Sequence, residues 1–252
     1  MDKLLLVDGH SILNRAFYGL PDLTNSKGEH TNAVLGFINI VFKIMEEEKP
    51  THLAVAFDVH EKTFRHNMFE AYKGTRSAMP QELREQVPVM KELLRLMNVR
   101  VIEAPGFEAD DIIGTLSRKG EEAGMEVSVL SGDRDLLQLA TEKVLIRIPK
   151  TKGGKTTVEN YHAKEVKEAY GVTPLEFIDM KGLMGDASDN IPGVPGIGEK
   201  TASKIISTYH NIENAYEHVG EIKPKKAMEN LTEFYDQAIM SKELATIKLD
   251  VP

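Results

Sequence analysis

The sequence predicts an α/β domain built on a mostly parallel sheet, followed by a helical region. Short apolar runs at Leu4–Val7, Leu53–Phe57 and Val127–Leu130 alternate with longer segments of helical spacing, the pattern of a parallel sheet with helices on its faces. Each run stops at or just before an aspartate: Asp8, Asp58 and, after Ser131-Gly132, Asp133. From about residue 160 the alternation ends and helical patterns take over. That change sets a boundary between a core at 1–160 and a second region at 161–252.

Strand 3–8 opens the chain and leads into an irregular stretch. A helix follows over 32–48, with Leu35, Ile38, Phe42 and Met45 on one face, Thr31 as N-cap and Pro50 beyond its end. Strand 52–58 comes next. Residues 59–80 are too many for an ordinary strand-to-helix loop, and they mix Lys62, Arg65, Lys73 and Arg76 with Phe64, Phe69 and Tyr72. A basic, aromatic insertion beside a strand end reads as a lid or binding loop. If that stretch is helical, Lys73 and Arg76 share a face. A helix over 81–97 bent at Pro88, strand 99–103, helix 108–123 and strands 126–131 and 144–148 complete the core. Gly153-Gly154, within Lys150–Thr157, marks a tight turn. Helices are expected at 162–170, 174–185, 199–209, 211–219 and 232–246.

The chain has 252 residues, no cysteine and a net charge of -8. Disulfides and thiolate metal sites are excluded, and no apolar run approaches membrane-spanning length. The expectation is a cytoplasmic protein. The acidic balance argues against nucleic acid only until its distribution is considered. Nine carboxylates fall in five clusters: Asp8; Asp58; Glu108, Asp110 and Asp111; Asp133 and Asp135; Asp186 and Asp189. Basic residues gather instead at 60–76, 200–204 and 223–226, and local patches matter more than total charge for phosphate contact.

In an open α/β sheet, ligands bind beyond the carboxyl ends of the strands, so the strand-end aspartates share one edge. Like charges this close repel and raise one another's pKa. Hard divalent cations relieve that conflict, and Mg²⁺ takes carboxylate oxygens and water. The pattern points to a two-metal site for phosphodiester chemistry. Each cluster alone has an ordinary explanation, since acids in a first helical turn complement the helix dipole and Asx residues populate turns. The weight rests on their joint arrangement.

The run Gly193-Val194-Pro195-Gly196-Ile197-Gly198-Glu199-Lys200-Thr201 is not a P-loop, because Glu199 separates Gly198 from Lys200. Nor does a strand precede it, as a dinucleotide fingerprint requires. It reads as a hairpin between two helices whose free N–H groups and helix N-terminus hold a DNA phosphate, with Lys200 and Lys204 alongside. His10 and His60 each follow a key Asp by two residues and receive no role.

Together these residues resemble the bacterial 5′ nuclease (flap endonuclease) family, within it the exonuclease domains joined to a polymerase. The carriers are Val7-Asp8-Gly9-His10-Ser11, Ala56-Phe57-Asp58, Thr63-Phe64-Arg65, Tyr72-Lys73-Gly74, Glu108-Ala109-Asp110-Asp111, Ser131-Gly132-Asp133-Arg134-Asp135, the stretch from Leu183 through Gly196, and Leu244-Ala245-Thr246-Ile247. They span nearly the whole chain in one order. His10 departs from the Asn or Ser of many relatives.

The resemblance implies a PIN-like core with a helical arch at about 59–80, then a helix–three-turn–helix motif at about 185–210 in a DNA-binding region. It implies two Mg²⁺ (or Mn²⁺) ions. Asp58, Glu108 and Asp110 would surround the first, with Asp8 acting through water. Asp110, Asp133, Asp135 and Asp189 would surround the second, with Asp186 and Asp111 in support. Lys73 and Arg76 would reach the scissile phosphate and, with Asp110, form the catalytic set. Arg15, Arg65, Tyr72, Lys73, Arg76, Gly193, Gly196, Gly198, Lys200, Thr201 and Lys204 would contact DNA, and the 193–198 hairpin would hold K⁺.

The implied activity is a structure-specific 5′–3′ exonuclease and 5′-flap endonuclease. Its substrates would be branched, nicked or flapped duplex DNA and RNA–DNA primer junctions, in Okazaki-fragment maturation and repair. It would act as a nucleoid-associated bacterial monomer, free-standing or joined covalently to a polymerase domain. Two rival readings stand beside it. A PIN-type single-strand ribonuclease would need neither the arch nor the helical half. A non-catalytic junction binder would not need complete carboxylate clusters.

Overall fold

The computed structural model describes residues 2–152 and 155–252. Six strands form one sheet: β1 (Lys3–Asp8), β2 (His52–Ala56), β3 (Arg100–Ile102), β4 (Glu126–Leu130), β5 (Val144–Lys152) and β6 (Lys155–Tyr161). Their order is β3-β2-β1-β4-β5-β6. All neighbours are parallel except the last, where β6 runs antiparallel to β5. Strand order turns back between β1 and β4, and the crevice outside such a switch point is where open α/β sheets bind ligands.

Period-2 alternation sends each strand's side chains into two cores. Leu5, Val7, Val55 and Phe57 pack on one face with Ile12 and Leu13 of α1 (Gly9–Gly19), Phe37, Val41 and Ile44 of α2 (Asn32–Glu48), and Leu83, Met90 and Leu94 of α4 (Gln81–Leu96). Leu6, Ala54, Ala56, Val127 and Val129 pack on the other with Ile112 and Ile113 of α5 (Ala109–Glu122). The second core continues without a break into the helical half. That half comprises α6 (Ala163–Tyr170), α7 (Pro174–Met184), α8 (Glu199–Tyr209), α9 (Ile212–Glu217), α10 (Lys225–Glu233) and α11 (Tyr235–Ala245).

Four expectations change. The stretch after β1 is helix α1 rather than irregular: the Asp8 side chain accepts from Ser11 N at 3.1 Å as its N-cap, and Ile12, Leu13 and Ala16 are buried. Residues 155–161 form an edge strand beyond those expected, while the expected Gly153-Gly154 turn lies outside the described residues. The helix expected at 232–246 is α11, and α10 before it is a further helix the sequence pattern did not give. The 59–80 insertion holds only a five-residue helix, α3 (Phe64–Met68), and is otherwise turns. Among the described residues no helix is long and apolar enough to cross a membrane.

Candidate active site

Beyond the carboxyl ends of β1, β2 and β4 lies a cavity of about 270 Å³. Asp8, Asp58, Glu108, Asp110 and Asp133 line it, together with Lys73 and Arg76. Each acid arrives by a different local route. Asp8 ends β1, Asp58 lies two residues past β2, Glu108 caps α5, Asp110 sits in its first turn, and Asp133 follows β4 through Ser131-Gly132.

Asp8 also accepts from Ser131 Oγ at 2.7 Å. Burial, reinforced by the charges of Asp58 and Asp133, pushes its carboxyl up to about 6. Asp110 is raised well above the usual carboxylate range, first by burial and then by Asp133, Asp8 and Asp58. Asp58 goes the other way. Burial alone would raise it, but the His10 ring, the Ala109 N–H at 2.8 Å and the Lys73 charge hold it down at about 2. His10, given no role from sequence, lines the cavity. Its Nδ1 accepts the Asp58 N–H at 3.3 Å and lies 3.5 Å from Asp58 Oδ2. One nitrogen serves both contacts, so the amide needs its lone pair and the carboxylate would need a proton there.

The remaining acids stand apart from this cavity. Asp135 and Asp186 flank a residue the sequence reading missed, Lys181 of α7. Its Nζ is 2.7 Å from Asp135 Oδ1 and is also paired with Asp186. Burial opposes the Lys181 charge, but these two carboxylates raise its pKa nonetheless. Asp135 is pushed up to about 7 by burial and by Asp133, against the pull of Lys181. Asp189 pairs with Arg76 and lies 3.8 Å from Lys73 Nζ. Only helical spacing in α7 could have hinted at Lys181, because a lone lysine in an apolar helix carries no sequence signature of its partners.

Among the described residues no group of three or more acidic or histidine side chains is arranged to hold an ion as it stands. Lys73, Arg76 and Lys181 already neutralise Glu108, Asp189, Asp135 and Asp186. Asp110 differs. Its carboxylate accepts no hydrogen bond among the described residues, and the charges of Asp133, Asp8 and Asp58 outweigh that of Lys73 beside it, the environment a divalent cation would relieve. The oxygen-only donor set also suits Mg²⁺ or Mn²⁺.

Four assignments require correction. Asp111, expected to support an ion, is fully buried and held by Arg65 through two 2.8 Å bonds. Arg65, expected against DNA, is itself only 2 % exposed and has no route to a phosphate. Tyr72 is buried too, and its hydroxyl donates toward Glu108 and Asp189, each at 3.1 Å. Burial, with the charges of those acids, raises its pKa. Gly193 is buried against Gly185, where a Cβ would lie 2.3 Å from the Gly185 nitrogen. Its N–H donates to Ser241 Oγ and its carbonyl accepts from Gln237, so it offers no free N–H.

The other expected DNA contacts are accessible. Gly196, Gly198, Lys200 and Lys204 are exposed and Thr201 partly so. Arg15 lines an adjoining cavity of about 500 Å³ with Ser11, Asn14 and the exposed Tyr18. The Arg15 Nε has no hydrogen-bond partner among the described residues.

Residues 3–171 match the family model described as 5′–3′ exonuclease, N-terminal resolvase-like domain, and residues 172–252 match that described as 5′–3′ exonuclease, C-terminal SAM fold. The chain is 55% identical over 250 residues to DNA polymerase I of Bacillus subtilis (strain 168), covering 99% of this chain and 28% of that protein. It is 44% identical over 250 residues to DNA polymerase I of Caldicellulosiruptor bescii, covering 99% and 29%. The chain thus spans less than a third of the curated relatives it matches. Among solved structures, a bacteriophage T5 flap endonuclease pseudo-enzyme–product complex with DNA and metal ions aligns with a TM-score of 0.77 at 25% identity, covering 96% of this chain and 88% of that one. The catalytic core of Rad2 with a DNA substrate aligns with a TM-score of 0.62 at 16% identity, covering 100% and 81%, a likeness of fold.

Proposed function

This chain belongs to the 5′–3′ exonuclease family and is a nuclease; from that premise we propose that it removes 5′ flaps and 5′-terminal nucleotides, RNA primers included, from branched or nicked duplex ends. The observation that carries this reading is the meeting of Asp8, Asp58, Glu108, Asp110 and Asp133 on one cavity, with Lys73 and Arg76 on its wall. Asp58, Glu108 and Asp110, with Asp8 behind them, are the residues to hold one divalent ion. Asp110, Asp133, Asp135 and Asp189 are those for a second, with Asp186 beside them. When bound, such ions supply an acidified water and neutralise charge on the attacking and leaving oxygens.

The protein's own part is positioning and electrostatics. Lys73 and Arg76 now neutralise Glu108 and Asp189. Cations among the carboxylates would free both side chains for the phosphoryl oxygens, where charge develops in the transition state. Water attack at phosphorus breaks the P–O3′ bond and leaves a 3′-hydroxyl and a 5′-phosphate. His10 Nδ1 accepts the Asp58 N–H and so fixes the backbone that carries this acid, and Ser131 orients Asp8.

In this reading residues 1–160 are the nuclease core and 161–252 the duplex-binding half. Gly196, Gly198, Lys200, Thr201 and Lys204 grip the duplex backbone. K⁺ is proposed at the 193–198 hairpin, where the Pro195 carbonyl bonds Asn230 and keeps its second lone pair. The proposal extends to a monomer joined to a polymerase domain, acting at the bacterial nucleoid in primer removal and repair. Its support is the polymerase relatives described above.

A 5′-flap duplex and a single-stranded RNA of the same sequence, each with Mg²⁺ and with EDTA, test the reading. Flap cleavage that requires Mg²⁺ is expected. Cleavage of the RNA alone, or cleavage that survives EDTA, overturns it.

A further inference from the structure

One buried side chain joins the carboxylate cavity to the segment that follows α11. All five N–H donors of Arg65 have acceptors, drawn from two separate stretches of chain. NH1 bonds Asp111 Oδ2 at 2.8 Å and Glu108 Oε2 at 3.3 Å. NH2 bonds Asp111 Oδ1 at 2.8 Å and the Thr246 carbonyl at 2.9 Å. Nε bonds the Leu244 carbonyl at 2.9 Å.

The segment continuing from there is fastened along α5. Asp111 Oδ1 accepts the Lys248 N–H at 2.8 Å, and Thr115 Oγ1 accepts that of Val251 at 3.0 Å. On the other side, Gln138 accepts the Ile247 N–H and donates to the Ala245 carbonyl. Helix α5 leaves room for this strap at Gly114, where a Cβ would sit 2.6 Å from Ile247 Cγ2. Glu108, whose Oε2 is tied to Arg65 and Tyr72, presents Oε1 toward Lys73 on the cavity wall.

We propose that Arg65 is a positioning residue for the nuclease reaction: it locks Glu108 and the first turn of α5 to the 244–251 strap, so the helical half helps hold the carboxylate cavity in shape. This rests on the nuclease reading above. The physical argument is one of geometry and burial. Asp111 is fully buried, and a buried carboxylate that loses its partner must reorganise or leave. The element that would move is the first turn of α5, which carries both Glu108 and Asp110. A planar fork with five donors can serve two carboxylates and two carbonyls together, whereas a lysine ammonium has three donors and no fork.

The test uses the whole chain with Arg65→Lys and Asp111→Asn. Three quantities are read: Mn²⁺ binding by calorimetry without DNA, hydrogen exchange of the 246–251 amides, and single-turnover cleavage of a 5′-flap duplex alongside its affinity. Both variants should weaken Mn²⁺ binding and slow saturated cleavage by about 10–100-fold, the range for residues that orient metal-binding carboxylates. The Lys248 and Val251 amides should exchange faster, while flap affinity holds. Gly114→Ala, which wedges the strap from α5 without touching a charge, should give the same pattern and stands in if Arg65→Lys fails to fold. Wild-type Mn²⁺ affinity and exchange in the folded variants, or a loss confined to flap affinity, overturns the proposal. A wild-type chain that fails to cut the flap sinks the nuclease reading instead, and Mn²⁺ binding and exchange still decide on Arg65.

Discussion

Lys73 Nζ stands 2.8 Å from Glu108 Oε1 on the wall of the carboxylate cavity. A helical insertion would aim Lys73 and Arg76 along one face. Instead Lys73 is in the left-handed region at φ 55°, its N–H bonds the Asp189 carbonyl at 2.8 Å, and the Arg76 N–H bonds the Lys73 carbonyl. A turn, anchored from the helical half, brings both cations over the acids.

If these cations act on the transition state, Arg76→Ala should lower the single-turnover rate on a 5′-flap duplex by a factor of about 100–1,000, the usual loss for one preorganised donor. Flap affinity should change far less. Cleavage timed at saturating enzyme checks this. A rate restored by saturation would make Arg76 a binding residue.

Asp110→Asn should nearly abolish cleavage and leave DNA binding intact or tighter. The substitution removes the acid that faces Asp8, Asp58 and Asp133 without any donor of its own. It also lowers repulsion toward phosphate. Gel-shift titration and single-turnover cleavage on the same preparation separate the two effects. Near-normal turnover would remove Asp110 from the centre of the site.

Without divalent metal, stability should fall as pH rises from 5 to 8. Asp8 at about 6 and Asp135 at about 7 both lie above their ordinary value of 3.8. The native state therefore binds more protons than the unfolded chain in that window, and the slope of unfolding free energy with pH is negative. Asp58, held down at about 2, works oppositely, but its contribution is lost only as pH falls below the ordinary range. From pH 5 to 8 Asp8 gives up about one unit and Asp135 about two, a loss on the order of 4 kcal/mol at ~1.4 kcal/mol per pKa unit. Saturating Mg²⁺ should flatten the dependence, stabilise the fold at pH 8 by about 2.7 kcal/mol at 100 times its dissociation constant, and so raise the melting temperature. Thermal melts at matched ionic strength, with Mg²⁺ or EDTA, read both effects. Identical curves would argue against a carboxylate metal site.

Lys200→Ala and Lys204→Ala should weaken duplex binding and spare chemistry. Both side chains are exposed and enter no ion pair among the described residues. Taking one lysine away from its phosphate should reduce the slope of log affinity against log salt by about 0.9. Duplex binding measured across a salt series checks it. An unchanged slope with a slower single-turnover rate would locate their role elsewhere.

The positions of Asp8, Asp58 and Asp133 were legible because apolar runs ending in aspartate, alternating with helical segments, leave a parallel sheet one active edge. Lys200 and Lys204 were legible as surface cations for a similar reason: local pattern sets exposure on a short amphipathic helix. Pairing was not legible. Arg65 meets Asp111 across 46 positions and Leu244 across 179. Nothing near Arg65 in sequence distinguishes a buried arginine from a DNA contact. The same holds for Lys181, which becomes the counter-ion of Asp135 and Asp186 only when α7 packs against the helical turn at Asp135–Leu139. Residue type and period report what a side chain can do and which face it occupies. Which carboxylate is spent on the protein and which is left for a cation depends on charges brought together from distant segments, and that required the folded chain.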